Sequence, residues 1–159
     1  MFDFYKKNII LAPVNGQIVE IESVDDFMFS QKIIGDGLAI KPLDGQILAP
    51  CKGTVECILI EKHALFISCE DKTQILIHFG LDTVEMKGEG FECHVCVKQN
   101  IKIGDLLMSV DLEKIKKNKK DDTVIVVIPQ NKNIDIIHKN TGQCLAAKTP
   151  LFKYKKFCI

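Results

Sequence analysis

Two histidines, His63 and His78, stand in stretches of sequence suited to holding a reactive ring still. Imidazole works near neutral pH as a nucleophile or a proton donor, because its reference pKa is about 6.5. His78 follows the run Gln74-Ile75-Leu76-Ile77 and precedes Phe79-Gly80-Leu81-Asp82-Thr83-Val84. Ile75, Ile77 and Phe79 alternate with Gln74, Leu76 and His78, the period of two that marks a strand. A ring carried on such a ribbon has a fixed aim. Residues 61–69 read as a second strand, and Glu70-Asp71-Lys72-Thr73 closes the two into a hairpin. A turn centred on Glu70-Asp71 sets His63 opposite His78 on one face, with Cβ atoms about 5 Å apart. A bulge at Lys72 would shift that register by one residue.

A pair of imidazoles at that spacing suits phosphoryl transfer. A neutral ring that attacks a phosphoryl donor becomes a phosphohistidine, whose P–N bond is labile enough to pass the group on. A serine would form a stable ester and stop there. Catalysis of this step is mainly positioning and neutralisation of the equatorial oxygens. The second ring can donate a hydrogen bond to those oxygens. The residues alone establish a pair and leave open which ring is the nucleophile. His94 and His138 stand singly and read as structural.

The elements that must carry the pair are short strands. Ile10-Leu11-Ala12-Pro13-Val14-Asn15-Gly16-Gln17-Ile18-Val19 returns as Ile47-Leu48-Ala49-Pro50-Cys51-Lys52-Gly53-Thr54-Val55-Glu56, each a strand, a Pro-x-x-Gly turn and a strand. The echo predicts a sheet built from two related halves. Between the copies, residues 23–31 suit a helical turn presenting Phe27, Met28 and Phe29, and Gly35-Asp36-Gly37 reads as a turn into the next strand. Further strands are expected at 92–97, 106–110, 123–128, 133–138 and 144–147, with turns at 102–105 and 140–142. One helix is expected over 111–117, with Asp111 as its N-cap and the lysines of 114–120 as a solvated face. This spacing predicts an all-β sandwich or barrel.

Composition narrows the partners. The 159 residues suit one domain; its 21 basic and 21 acidic residues balance, which argues against nucleic acid as a ligand. Every strong cation is lysine, so no bidentate guanidinium clamp for a phosphate exists within the chain. The seven cysteines are odd in number and scattered through apolar runs, which fits reduced thiols in a cytoplasmic protein. Cys93-His94-Val95-Cys96 has CxxC spacing, but no second CxxC accompanies it, so it reads as filler rather than a metal or redox motif. No apolar run reaches transmembrane length. Residues 1–8 read as a tail and 9–159 as a single domain.

His78-Phe79-Gly80-Leu81-Asp82-Thr83-Val84 with Lys87-Gly88-Glu89-Gly90-Phe91 resembles the active-site segment of the glucose-class enzyme IIA of the bacterial sugar phosphotransferase system. Lys62-His63-Ala64 and Gly35-Asp36-Gly37-Leu38-Ala39-Ile40 resemble two more of its segments, and the likeness runs from about Ile10 to Leu151. The resemblance implies an antiparallel β-sandwich of duplicated halves, a duplicated hybrid motif with short helical turns. It implies that His78 takes a phosphoryl group from phospho-HPr and passes it to a cysteine of an enzyme IIB domain, with His63 as the stabilising neighbour. The carbonyl of Gly80 is expected to hold the other nitrogen of His78, and Asp82 to face the partner from the rim. Met28, Phe29, Ile34, Leu59, Leu76 and Val84 are expected to form an apolar docking ring. No cofactor is required; His63 and His78 would bind zinc only with a ligand from a partner. The implied location is cytoplasmic, peripheral to a membrane sugar permease.

Two departures from the family's pattern carry expectations of their own. Glu61 stands where a threonine usually hydrogen-bonds the second histidine, and its carboxylate is expected to raise the pKa of His63. Lys72 stands where a turn glycine is common, so the hairpin tip is expected to differ. The competing readings are a regulatory protein that docks on permeases or kinases according to its phosphorylation state, a zinc peptidase on a related fold, and a carrier acylated at Lys87. The peptidase would need a further ligand such as a His-x-His, which the chain lacks.

Overall fold

A computed structural model describes residues 8–157; Cys158 and most of the expected tail lie outside the described residues. In chain order the strands are β1 (Ile9–Leu11), β2 (Gly16–Glu20), β3 (Gly35–Pro42), β4 (Gln46–Leu48) and β5 (Gly53–Ile58). The histidine hairpin follows as β6 (Ala64–Cys69) and β7 (Gln74–Leu81), then β8 (Phe91–Cys93), β9 (Asn100–Ile101) and β10 (Leu106–Val110). The chain closes with β11 (Asp121–Pro129), β12 (Ile134–Lys139), β13 (Gly142–Cys144) and β14 (Pro150–Lys156). Helix α1 is Phe27–Ser30, and α2 is Leu112–Lys117, N-capped by the Asp111 carboxylate on the Lys114 N–H as the sequence predicts.

An eight-stranded sheet runs β13-β2-β3-β11-β7-β6-β5-β9, and two three-stranded sheets run β1-β14-β12 and β4-β10-β8. All the pairings are antiparallel. The orders are palindromic: exchanging β1, β2 and β3 with β4, β5 and β6, and β11, β12, β13 and β14 with β7, β8, β9 and β10, maps the large sheet onto itself and swaps the small ones. The sequence echo is the seam of this duplication. The Leu11 N–H donates to the Pro50 carbonyl at 3.0 Å and the Leu48 N–H to the Pro13 carbonyl at 2.7 Å, a reciprocal pair between the two copies.

Strand alternation gives the large sheet two apolar faces. Ile75, Ile77 and Phe79 of β7 point inward with Leu38, Ile40, Val124 and Val126, meeting Ile47, Met108, Phe152 and Tyr154 of the small sheets in the main core. Leu76 points outward with Ala64, Ala39, Ile125 and Val127 into a second cluster, capped by Ile21, Val24 and Phe29 around α1.

Three local expectations are corrected. Gly35-Asp36-Gly37 is not a turn but the start of β3, packed against β11. A Cβ on Gly35 would sit 2.1 Å from the Ile128 carbonyl oxygen, and one on Gly37 2.0 Å from that of Val126, so these glycines permit two backbones to touch. The strand expected at 92–97 stops at Cys93, because Lys98 turns the chain at φ 74° and the Gln99 side chain takes the Cys96 N–H. The strand expected at 144–147 ends at Cys144, where Thr149 Oγ1 takes the Leu145 N–H and Ala147 adopts φ 59°.

Gly37→Ala is expected to force β3 from β11, lowering stability by about 2–4 kcal/mol. A urea midpoint equal to that of the parent protein would contradict this packing.

Candidate active site

His78 sits on β7 with Ala64 of β6 opposite it on one side and Ile125 of β11 on the other. Its strand is therefore paired on both flanks within a wide sheet, and its ring projects onto the outer face beside Leu76. The hairpin register is the shifted alternative: Lys72 takes φ 73°, the Cys69 N–H reaches the Thr73 carbonyl at 2.8 Å, and Ala64 rather than His63 pairs with His78. Lysine in this left-handed turn position explains why glycine suits it.

His63 lies one residue before β6, after a turn in which Lys62 adopts φ 58°. Its carbonyl accepts the Phe79 N–H at 2.7 Å, anchoring the turn to the histidine strand. The small Ala64 leaves room opposite His78, and the two imidazoles meet edge-on with ring centroids 5.2 Å apart. Phe29 of α1 closes the other side, its ring centroid 5.1 Å from that of His78.

The Nδ1–H of His78 donates to the Gly80 carbonyl at 2.7 Å, which leaves the lone pair on Nε2. That carbonyl turns back because Gly80 takes φ 78°, and a Cβ there would lie 2.5 Å from Thr83 Cγ2 and 2.7 Å from the Asp121 carbonyl oxygen. The Thr83 hydroxyl donates to the Phe79 carbonyl at 2.5 Å and holds the turn from below.

Burial dominates the electrostatics. It pushes His78 down to about 4, helped by the neighbouring His63 and opposed by the Gly80 carbonyl and the charges of Asp26 and Asp82. His63, 8% exposed, is also lowered: burial outweighs the Glu61 carboxylate, so the expected upward shift is corrected. His63 Nδ1 is buried without a hydrogen-bond partner. A buried bare lone pair is cheaper than a buried orphan N–H, which puts the His63 proton on Nε2. The two rings thus hold complementary tautomers, one with a free lone pair at Nε2 and one with a proton there.

The expected docking residues divide by depth. Met28 and Val84 are exposed, while Ile34 and Leu59 are half-buried against the outer cluster. Phe29 and Leu76, at 3% and 5%, are corrected: they lie under the ring as its floor, because α1 folds over them. Phe27 at 70% and Ile60 at 94% exposure stand at the rim instead, Ile60 on the turn that presents His63. Asp82 is exposed in a left-handed conformation at φ 58° with no capping hydrogen bond, which leaves its carboxylate facing solvent. Asp26 is a site residue that sequence reasoning missed: its carboxylate caps α1 through the Phe29 N–H at 3.2 Å. An aspartate just before an apolar helical turn is an N-cap signal that could have found it. Thr83 had no such signal, since its role depends on the fold of the turn.

Among the described residues no group of three or more histidine, cysteine or acidic side chains is placed to hold a metal ion. Two neutral rings with one free nucleophilic nitrogen between apolar walls can take and release a phosphoryl group.

Comparison with known proteins agrees with this chemistry. Residues 8–134 match the family described as phosphoenolpyruvate-dependent sugar phosphotransferase system, EIIA 1. The PTS system glucose-specific EIIA component of Buchnera aphidicola subsp. Acyrthosiphon pisum (strain APS) is 45% identical over 149 residues, 92% of this chain and 92% of that protein. The PTS system glucoside-specific EIICBA component of Staphylococcus carnosus (strain TM300) is 44% identical over 133 residues, 82% of this chain and 19% of that protein. Glucose permease IIA from Mycoplasma capricolum has the same fold, with a TM-score of 0.85 and 30% identity over 91% of this chain and 93% of its own. The chain belongs to the EIIA 1 family of the phosphoenolpyruvate-dependent sugar phosphotransferase system, and it is a phosphotransferase component of that system.

Proposed function

We propose that His78 accepts a phosphoryl group from the phosphohistidine of HPr and hands it to the cysteine of a glucose-class enzyme IIB domain. The observation that carries this reading is the His78 Nδ1–Gly80 hydrogen bond, which aims a neutral Nε2 lone pair out of the outer face. In the forward step that lone pair forms a bond to phosphorus as the donor's P–N bond breaks. His63 Nε2–H donates to the equatorial oxygens, a task no arginine of this chain can share. In the second step the cysteine sulfur attacks phosphorus, and His78 leaves as the same neutral ring. Met28, Val84, Phe27 and Ile60 exclude water at the docked interface and keep the phosphohistidine from hydrolysis.

A free Cys-containing IIB domain is the chemical counterpart of this surface, and in the Staphylococcus carnosus relative the matching segment is part of an EIICBA component. By analogy the chain works at the cytoplasmic side of a sugar permease; among the described residues no helix is long and apolar enough to cross a membrane. No cofactor enters this scheme. His63 and His78 supply two of a zinc ion's four ligands, and a partner would have to bring the rest. Phosphorylation-dependent docking on permeases or kinases is favoured by the same exposed apolar rim. Recovering partners with and without phosphoenolpyruvate separates it from carriage alone.

Incubation with enzyme I, HPr and phosphoenolpyruvate is expected to give one phosphate adduct, abolished by His78→Ala; an adduct that survives that change overturns the assignment. His63→Ala keeps the nucleophile, so it is expected to form the adduct but to exchange it roughly 100-fold more slowly.

The pKa of His78 carries a stability consequence. The unfolded chain binds this proton near 6.5 and the folded chain only near 4, so between those values the unfolded state holds more protons. Stability therefore rises with pH across that window, and about 3 kcal/mol is lost on acidification through it. The His78 ring is expected to titrate near 4 by NMR; a midpoint at the free-imidazole value would contradict the burial argument.

A further inference from the structure

The far end of the histidine hairpin holds a pair of thiols that phosphoryl transfer does not use. Cys69 closes β6, five residues beyond Ala64 in sequence and about 17 Å along an extended strand from the histidines. Its Sγ lies 3.4 Å from Cys51 Sγ, and the two share a hydrogen bond. Cys51 belongs to the Pro-x-x-Gly turn that leads into β5, where Gly53 is the backbone partner of Cys69. Both thiols are buried, but they are not equivalent. Cys69 lines a solvent-opening cavity of about 400 Å³ whose wall includes Lys52, Lys72 and Lys102, and Cys51 is not part of that wall.

We propose that Cys51 and Cys69 form a modification site at which a small peroxide makes a reversible intramolecular disulfide. The cavity admits the oxidant to Cys69. The Cys69 sulfur attacks one peroxide oxygen, the O–O bond breaks, and the departing hydroxide takes the thiol proton to become water. Cys69 is then a sulfenic acid. The Cys51 sulfur attacks it, the S–O bond breaks, and the hydroxyl leaves with the Cys51 proton as a second water. Two thiols are oxidised, and one hydrogen peroxide is reduced to two waters. The sulfurs must close by about 1.4 Å to reach a disulfide bond length near 2.05 Å. A turn and a strand end, rather than two strand centres, supply that movement.

The shared hydrogen bond and burial hold the Cys69 thiol well above its ordinary range, so the first step is slow. The second is fast, because the resolving thiol is already in contact. Slow entry followed by fast closure gives a disulfide rather than higher oxides. A two-thiol metal site is the alternative use of such a pair, yet no third ligand stands by it among the described residues.

The test is treatment of the reduced full-length protein with hydrogen peroxide, acid quench, alkylation and mapping of unreduced peptides by mass spectrometry. A Cys51–Cys69 cross-linked peptide that dithiothreitol removes is expected. The half-exposed Cys57 and Cys93 and the exposed Cys96 serve as internal comparators. Cys51 and Cys69 both recovered as alkylated thiols after Cys96 has been oxidised overturns the proposal. Cys51→Ser is expected to keep phosphate-adduct formation at His78 and to divert Cys69 to the sulfinic acid. An unchanged Cys69 oxidation pattern in that variant overturns the resolving role.

Discussion

The hydrogen bond of 2.7 Å from His78 Nδ1 to the Gly80 carbonyl is the contact on which the chemistry of this molecule depends. It settles which nitrogen keeps its lone pair, and it does so with a backbone group that cannot rotate away. The carbonyl points at the ring only because Gly80 takes a left-handed conformation, with the Thr83 methyl and the Asp121 carbonyl too close to admit a Cβ. Thr83 in turn is tied to the Phe79 carbonyl. Three residues after His78 on the chain and one strand beside it therefore act on a single proton.

Neutrality is the second requirement, and burial supplies it against an acidic surround. Asp26 and Asp82 both favour a charged His78, and Glu61 favours a charged His63, yet desolvation outweighs them. Glu61 and Asp82 reach solvent, where water screens their fields, whereas the rings stand on the floor of Phe29 and Leu76. The exchange of the usual threonine for Glu61 shows where geometry matters more than charge. Glu61 acts on His63 through its charge alone and makes no hydrogen bond to Nδ1, which stays buried without a partner.

Rigidity comes from the duplication. The pseudo-twofold relation passes between β7 and β11, the two central strands of the large sheet, and His78 lies on one of them opposite Ile125 of the other. The reciprocal bonds between the Pro13 and Pro50 turns join the halves on the opposite side of the core. A ring mounted there has paired strands on both flanks and two apolar layers, one above and one below the sheet.

Local pattern was enough for much of this. The alternation of Ile75, Ile77 and Phe79 with Leu76 and His78 determines a two-faced strand, since side chains on a strand alternate by geometry. The Pro-x-x-Gly echo determines a duplicated β fold, and Asp111 determines the start of its helix, because caps and turns are set by adjacent residues. Contacts between distant segments were decided only in three dimensions. The register of the histidine hairpin turned on whether Lys72 would accept a left-handed conformation. Gly35 and Gly37 looked like turn residues until β11, some 90 residues later, was seen lying against them. Asp26 beside His78, Leu76 beneath Phe29, and Cys51 against Cys69 are meetings of the same kind. Sequence spacing encodes which way a side chain points along its own element; which element lies across from it is decided by packing of the whole chain.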